Sequence, residues 1–306
     1  MTKTENNILL FSITLCWATS YLFIKQLPED FSSCAYLTMT TGIAALIMAV
    51  IFWKQLKKSR KSTWLKGFFL SLLLSVNLLA EKKGISLLTP SNASFLEALT
   101  VIIVPVLLLV SGQMLSRNHL AGAAVILIGL AVSSRFAVSN FYSRGSIYML
   151  AACFCSAVYT IMVDRFAKEE DPLVICIIQM FFTALLGFVL WYMENPLTFA
   201  SITYTGELLS SIFILAFFAK AYAYTALMYS QKYTDAVSVT VISSTEPVVT
   251  LSLSLLLPAA YGGRQIPKLP AIMGAVLIAA GAIIAGLHFL EKKRPCKNEE
   301  KWDENQ

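Results

Sequence analysis

The chain has 306 residues, 57% of them hydrophobic and 14% charged, with a mean hydropathy of +0.68 and a formal net charge of +6. Soluble domains carry about a quarter charged residues, so this chain lacks the polar surface to cover a globule in water. Apolar runs recur from end to end, which excludes a soluble domain on a single anchor and makes the lipid bilayer the medium of the whole chain.

A membrane span needs about 20 apolar residues. Ten stretches qualify, in chain order 7–25, 33–53, 65–88, 93–112, 119–136, 145–164, 172–192, 207–230, 235–257 and 270–290. The first holds Trp17 and Tyr21 inside a long apolar run with no small-x-small cleavage signal after it, so it reads as a retained helix and not a signal peptide. Basic residues cluster between the second and third stretches (Lys54, Lys57, Lys58, Arg60, Lys61, Lys66) and after the tenth (Lys292, Lys293, Arg294, Lys297, Lys301). With a cytoplasmic N-terminus, the outside segments hold only Lys25, Arg135, Arg144, Arg264 and Lys268. That bias predicts both termini inside the cell, with residues 291–306 as a charged cytoplasmic tail; the location expected is the plasma membrane. The basic 54–66 loop is then a topology signal beside anionic lipid, and no nucleic-acid partner is expected.

In the third stretch Glu81, Lys82 and Lys83 arrive early. Counted from Gly67, Glu81 lies about 21 Å along a helix, inside a hydrocarbon core about 30 Å thick. At about 100° per residue, Asn77 and Glu81 share a face with Gly84, Lys82 sits beside it, and Lys83 points nearly opposite. The expectation is that Asn77 and Glu81 face a cavity, Lys82 lies at its edge and Lys83 snorkels outward. The alternative is that the helix ends there and all three reach the outer interface. The fourth stretch carries Glu97 and a mid-helix proline, Pro105.

Lys220 stands about midway along the eighth stretch, with Tyr224 one turn on. A charge at that depth is expensive unless paired or wet. Lys220 reads as a cation lining a cavity, or as half of an ion pair with a glutamate on another helix. In the ninth stretch Thr240, Ser243, Glu246, Thr250 and Ser254 form a polar stripe on an otherwise apolar helix, with Pro247 at the same depth. Glu246 is a candidate partner for Lys220 or a candidate proton site, and Pro247, like Pro105, a candidate hinge. Thr19, Tyr148 and Tyr159 are further candidate liners. Six cysteines (16, 34, 153, 155, 176, 296) form no CxxC pair and have no histidine at metal spacing, so neither a metal nor a cofactor is expected.

The chain repeats itself. "GAAVILIG" (122–129) and "GAVLIAAG" (274–281) each hold glycines seven apart on one helix face, where helices pack closely. "CWATSYLFIK" (16–25) aligns with "CSAVYTIMVD" (155–164). The fold class expected is an all-α integral membrane protein of ten transmembrane helices in two five-helix repeats, 1–140 and 141–290. Five is odd, so the second copy enters the membrane upside down. Inverted repeats with broken helices near their interface mark secondary transporters.

The stretches "WATSYLFIK" (17–25), "TPSNASFLEALTVIIVPVL" (89–107), "GAAVILIGLAV" (122–132), "YTDAVSVTVISSTEPVV" (233–249) and "GAVLIAAGAIIAG" (274–286), in that order, resemble the EamA-type ten-span members of the drug/metabolite transporter superfamily. The resemblance covers nearly the whole chain. It implies a central cavity between the repeats that carries a small solute, mostly outward, and it assigns Trp17 to that cavity. The chain departs from the family at the start of its second span, which reads "LTMTTG" (37–42) where an arginine is common. It departs again after the fourth span of each repeat, where Gln113 and "PAAYGGRQ" (258–265) stand near the place of a glutamate.

The function expected is a secondary transporter, an exporter of a small metabolite or drug, with protons as a candidate coupling ion. Lys220 with Lys82 suggests an anionic or zwitterionic solute such as an amino acid. The tyrosines and apolar walls equally tolerate a lipophilic cation held by Glu246. A non-transporting receptor or scaffold is the alternative. An intramembrane enzyme is a weaker one: His119 and His288 lie at span ends, and neither HExxH nor GxSxG occurs. No phosphate loop is present either.

Overall fold

The computed structural model describes residues 2–28, 30–113, 117–133, 143–194, 202–256 and 269–286. The expected tail 291–306, Arg135, Arg264, Lys268, His288 and Cys296 lie outside the described residues. Among the described residues every regular element is helical. We number the long helices α1 (Lys3–Gln26), α2 (Ser33–Ile51), α3 (Lys61–Leu87), α4 (Pro90–Val110), α5 (Arg117–Ser133), α6 (Arg144–Glu169), α7 (Pro172–Glu194), α8 (Gly206–Gln231), α9 (Ala236–Leu256) and α10 (Leu269–Gly286). Eight are long and apolar enough to cross a membrane; α5 and α10 are shorter apolar helices. At 1.5 Å per residue α5 is about 26 Å long.

Local chemistry sets the helix starts. Ser32, Thr89, Ser143, Thr205 and Asp235 each accept a hydrogen bond from the backbone three residues on. Thr2 and Glu5 form a reciprocal capping box on α1. Pro90 occupies the first turn of α4, where its missing N–H costs nothing. The outer surface is apolar, as at Leu46, Val50, Val110 and Leu256, which suits hydrocarbon and not water.

Glycines bring α5 and α10 together. A Cβ on Gly122 would lie 2.6 Å from the Gly281 carbonyl oxygen, and one on Gly129 would lie 2.8 Å from that of Gly274. As the number rises on one helix it falls on the other, so the two run antiparallel. The same reversal links α2 and α7: Gly42 faces Ala184, whereas Gly187 faces Thr38 and Leu37. Helices α3 and α6 pack with Gly84 against Met149 and Gly145 against Leu88. Leu70, Leu74 and Leu78 of α3 join Val163 of α6, Met180 of α7 and Leu227 of α8 in one buried cluster.

At one end of the bundle, Glu170 ties the start of α3 to the α6–α7 turn. It accepts from Ser62 Oγ (2.7 Å), Thr63 Oγ1 (2.8 Å) and Lys66 Nζ (3.0 Å), and Lys66 also pairs with Glu169 at 2.8 Å. The Ser62 hydroxyl, with that of Thr63 and the Lys66 charge, holds the Glu170 carboxyl down to about 2 against the opposing effect of desolvation. Elsewhere Ser230 of α8 donates to Asn6 of α1 (2.7 Å), and Gln231 donates to the Thr160 carbonyl (3.0 Å).

Three helices are irregular, and they meet at the centre. Helix α4 breaks at Ala98–Leu99 into Pro90–Glu97 and Thr100–Val110. Helix α9 breaks at Ser244–Thr245 into Ala236–Ser243 and Glu246–Leu256. Helix α8 passes through a π-helical stretch, Leu215–Tyr222, which carries Lys220. Pro247 accounts for the break in α9: it cannot donate to the Ser243 carbonyl four residues back. Pro105, expected as the matching hinge, instead lies inside the continuous half-helix Thr100–Val110. The break in α4 precedes it and is stitched by local bonds, Val101 N–H to Ala98 and Ile102 N–H to Leu99, each three residues apart.

A candidate solute cavity at two helix breaks

A cavity opens where α4 and α9 break, with about 740 Å³ of atom-free space counting open solvent. Helix α1 contributes Trp17 and Tyr21, one turn apart; α3 contributes Asn77 and Glu81. Glu97, Ala98 and Thr100 come from the break in α4. From α6 come Ser156, Tyr159 and Thr160, and from α8 Lys220, Tyr224 and Leu227. The ninth helix adds Val239, Thr240, Ser243, Ser244 and Glu246 around its own break. A membrane helix interrupted at depth frees backbone groups, which is tolerable only where protein or water takes them up. Here the Glu97 carbonyl accepts from Thr100 Oγ1, and Cys153 Sγ approaches it at 3.5 Å. Thr245 Oγ1 donates to Ile242 across the break in α9.

Eight of the nine residues expected to line a cavity meet here: Trp17, Asn77, Glu81, Glu97, Lys220, Tyr224, Ser243 and Glu246. Lys82 does not line it. Helix α3 continues to Leu87, so its charged triplet does not mark a helix end. Glu81 turns to the cavity, and Lys82 is buried with the charges of Lys25 and Asp30 acting on it. Lys83 is exposed, with its ammonium 5.7 Å from the centre of the exposed Tyr148 ring. Of the other candidate liners Tyr159 is in the wall, whereas Thr19 and Tyr148 are not. Thr250 and Ser254 continue the α9 stripe as buried groups beyond it.

Lys220 is 2% exposed, with Nζ 5.6 Å from the ring centres of both Tyr36 and Tyr224. Among the described residues it makes no ion pair within 4.0 Å, so a contact pair with Glu246 is not formed. The acid whose charge acts on it is Glu81. Trp17 and Tyr159 both stand edge-on to Tyr224, with ring centres 5.6 and 5.9 Å away. Asn77 donates to the Ala152 carbonyl at 2.9 Å, which fixes α3 against α6. Glu97 Oε2 and Glu246 Oε1 are buried and have no hydrogen-bond partner. Tyr21, Ser156 and Thr160 were not singled out by the sequence. For two of them the signal was there in the spacing: Tyr21 is four residues after Trp17 and Ser156 three before Tyr159, on the same helix faces, and Thr160 lies four after Ser156.

The model of the EamA-like transporter family matches residues 6–135 and again 143–287, so the family unit occurs twice and fills most of the chain. The chain belongs to the EamA-like transporter family. No curated protein matches it. A crystal structure whose description names no activity is similar, at 19% identity and a TM-score of 0.73, over 93% of this chain and 97% of the other. At that identity the likeness is one of fold alone. The EamA chain described here is therefore a multi-pass membrane protein of a transporter family, and its cavity is a candidate path for a small molecule.

Proposed function

We propose that this EamA-like protein is a secondary transporter that moves a small organic solute out of the cell by alternating access through the cavity between its two halves. One observation carries the reading: the cavity wall is built at the breaks of α4 and α9, one in each matched family unit, with an acid beside each break. A broken helix can change its angle at the break without losing a full turn of hydrogen bonds, so the wall is also where the bundle can hinge. Glu97 is the last residue before one break and Glu246 the first after the other.

The reading further holds that the bundle is ten spans in two inverted repeats, 1–140 and 141–290. The antiparallel packing of α2 on α7 and of α5 on α10 supports it, since these are the second and fifth helices of each set. The protein sits in the plasma membrane with both termini and the 291–306 tail in the cytoplasm. Trp17, Asn77, Glu81, Tyr224 and Ser243 form the wall that contacts the solute, with Lys220 beside them. Glu246 and Glu97 are the groups that would carry protons in a coupled cycle, and Pro247 lets α9 bend.

Flux into proteoliposomes tests this, with an internal pH-sensitive dye and a panel of amino acids, amines and carboxylates. The expected result is uptake of at least one class, reduced by about tenfold or more in Glu246→Gln with insertion intact. Acid movement that accompanies uptake supports coupling. No flux of any class, by protein that is folded and inserted, would sink the transporter reading.

A further inference from the structure

The cavity wall holds three carboxylates, those of Glu81, Glu97 and Glu246, and one ammonium, that of Lys220. The Lys220 ammonium is 5.6 Å from the centres of the Tyr36 and Tyr224 rings, and Glu81 is the acid whose charge acts on it. Among the described residues Glu97 and Glu246 form no ion pair with a lysine, arginine or histidine. Each keeps one buried oxygen without a hydrogen-bond partner, and the charges that act on Glu246 are those of Glu97 and Glu81. A carboxylate oxygen taken out of water without a donor is costly. The pair is therefore a place for a group that brings both positive charge and N–H donors.

The backbone field at each break is mixed: Glu97 and Ser243 end the half-helices Pro90–Glu97 and Ala236–Ser243, whose C-terminal ends carry partial negative charge, while Thr100 and Glu246 open the half-helices that follow, whose N-terminal ends carry partial positive charge. A bare metal ion fits poorly, since among the described residues no three acidic, histidine or cysteine side chains are close enough to hold one. The remaining wall is aromatic: Trp17, Tyr159 and Tyr224 stand edge to face, which suits an apolar body beside a cationic head. A carboxylate-bearing solute would bring a further negative charge to a wall that holds three acids and one lysine.

We propose that the solute of this cavity is a small organic amine in its ammonium form, with its N–H groups shared by Glu97 and Glu246 and its apolar body against Trp17, Tyr159 and Tyr224. This rests on the cavity assignment above, and only its transport arm depends on the transporter reading.

The test is calorimetric titration of the purified full chain with four probes of one shape: phenethylamine, phenylalanine, 2-phenylethanol and 3-phenylpropionate. Phenethylamine is expected to bind about tenfold or more tighter than the other three, the worth of a charge-assisted hydrogen bond. Glu97→Gln and Glu246→Gln should each weaken it by about tenfold, whereas Lys83→Gln, at an exposed position outside the cavity wall, should leave it undiminished. Because the wild-type series needs no variant, a misfolded mutant does not blunt the result. Preference for phenylalanine or 3-phenylpropionate would overturn the amine in favour of a Lys220 anion site. Equal binding of 2-phenylethanol, or no binding of any probe, would overturn it too. Solid-supported-membrane currents separate the two readings. Phenethylamine binding without current from any probe leaves the amine site standing and overturns transport. Current from 3-phenylpropionate or phenylalanine alone leaves transport standing and overturns the amine.

Discussion

Tyr159 keeps its place in the cavity wall through Gln179 on the next helix, whose side chain is fully buried. The phenol donates to Gln179 Oε1 at 3.0 Å and accepts from Nε2 at 2.9 Å. Both side chains are buried, so removing one partner leaves a polar group of the other unpaired. Tyr159→Phe and Gln179→Leu should each destabilise the protein by about 1–3 kcal/mol, and the double variant should lose less than the sum of the two. SDS unfolding in mixed micelles measures this, and additive losses would show that the pair is not coupled. The sequence marked Tyr159 as a candidate without revealing its partner, because a hydrogen bond between helices leaves no trace in periodicity. Lys82 misled for a related reason. Spacing gave its angle beside Glu81, but the neighbours that cover it come from elsewhere in the chain.

Among the elements, the glycine pairs marked a close-packing face on α5 and on α10, the structure shows that these faces meet each other, and the tightness of the contact can be tested. A Cβ on Gly122 would meet the backbone of α10, at 2.6 Å from the Gly281 oxygen and 2.8 Å from the Ala285 nitrogen. Backbone cannot yield as a flexible side chain can, so Gly122→Ala should cost about 1–3 kcal/mol. Gly42→Ala is the control: its Cβ would sit 3.7 Å from Ala184 Cβ, an ordinary contact. It should be neutral or gain up to about 1 kcal/mol from helix propensity. A larger loss at Gly42 than at Gly122 would contradict the packing described. The Glu170 clamp makes a pH prediction. Its carboxyl titrates at about 2 in the folded protein, below the ordinary carboxylate value, so the fold favours the ionised form. That contribution is fully present above about pH 4.5 and fades as pH falls towards 2. The stability difference between wild type and Glu170→Gln should follow it, present at pH 6 and closing in acid. A difference that stays constant from pH 6 to 2.5 would rule out an ionised clamp.

For the whole molecule, the proposed orientation follows from charge asymmetry and has a direct check. In a background without native cysteines, Lys58→Cys should react with an impermeant maleimide only after the membrane is opened, and Asp30→Cys in intact cells. Reversed labelling would invert the protein and with it the proposed direction of export. The clamp of Glu170 and the Asn6–Ser230 bond sit at the end of the bundle that this orientation makes cytoplasmic. They tie α3 to the α6–α7 turn and α1 to α8, and α1, α3, α6 and α8 all contribute to the cavity wall.

The sequence by itself determined the membrane class, the place of each long helix to within a few residues, the duplicated family unit and most of the charged cavity wall. It could do so because hydrocarbon tolerates few polar groups, so each buried charge or polar stripe in an apolar run is conspicuous. The tertiary structure decided the rest. It put the break of α4 at Ala98–Leu99 and not at Pro105, because local three-residue hydrogen bonds and the Thr100 hydroxyl can absorb a break where no proline demands one. It wound α8 into a π stretch at Lys220, turned Lys82 away from the cavity, and left one oxygen each of Glu97 and Glu246 without a hydrogen-bond partner among the described residues. Those outcomes depend on which side chains of distant helices arrive at the same depth, and that is settled by packing and not by any pattern along a single helix.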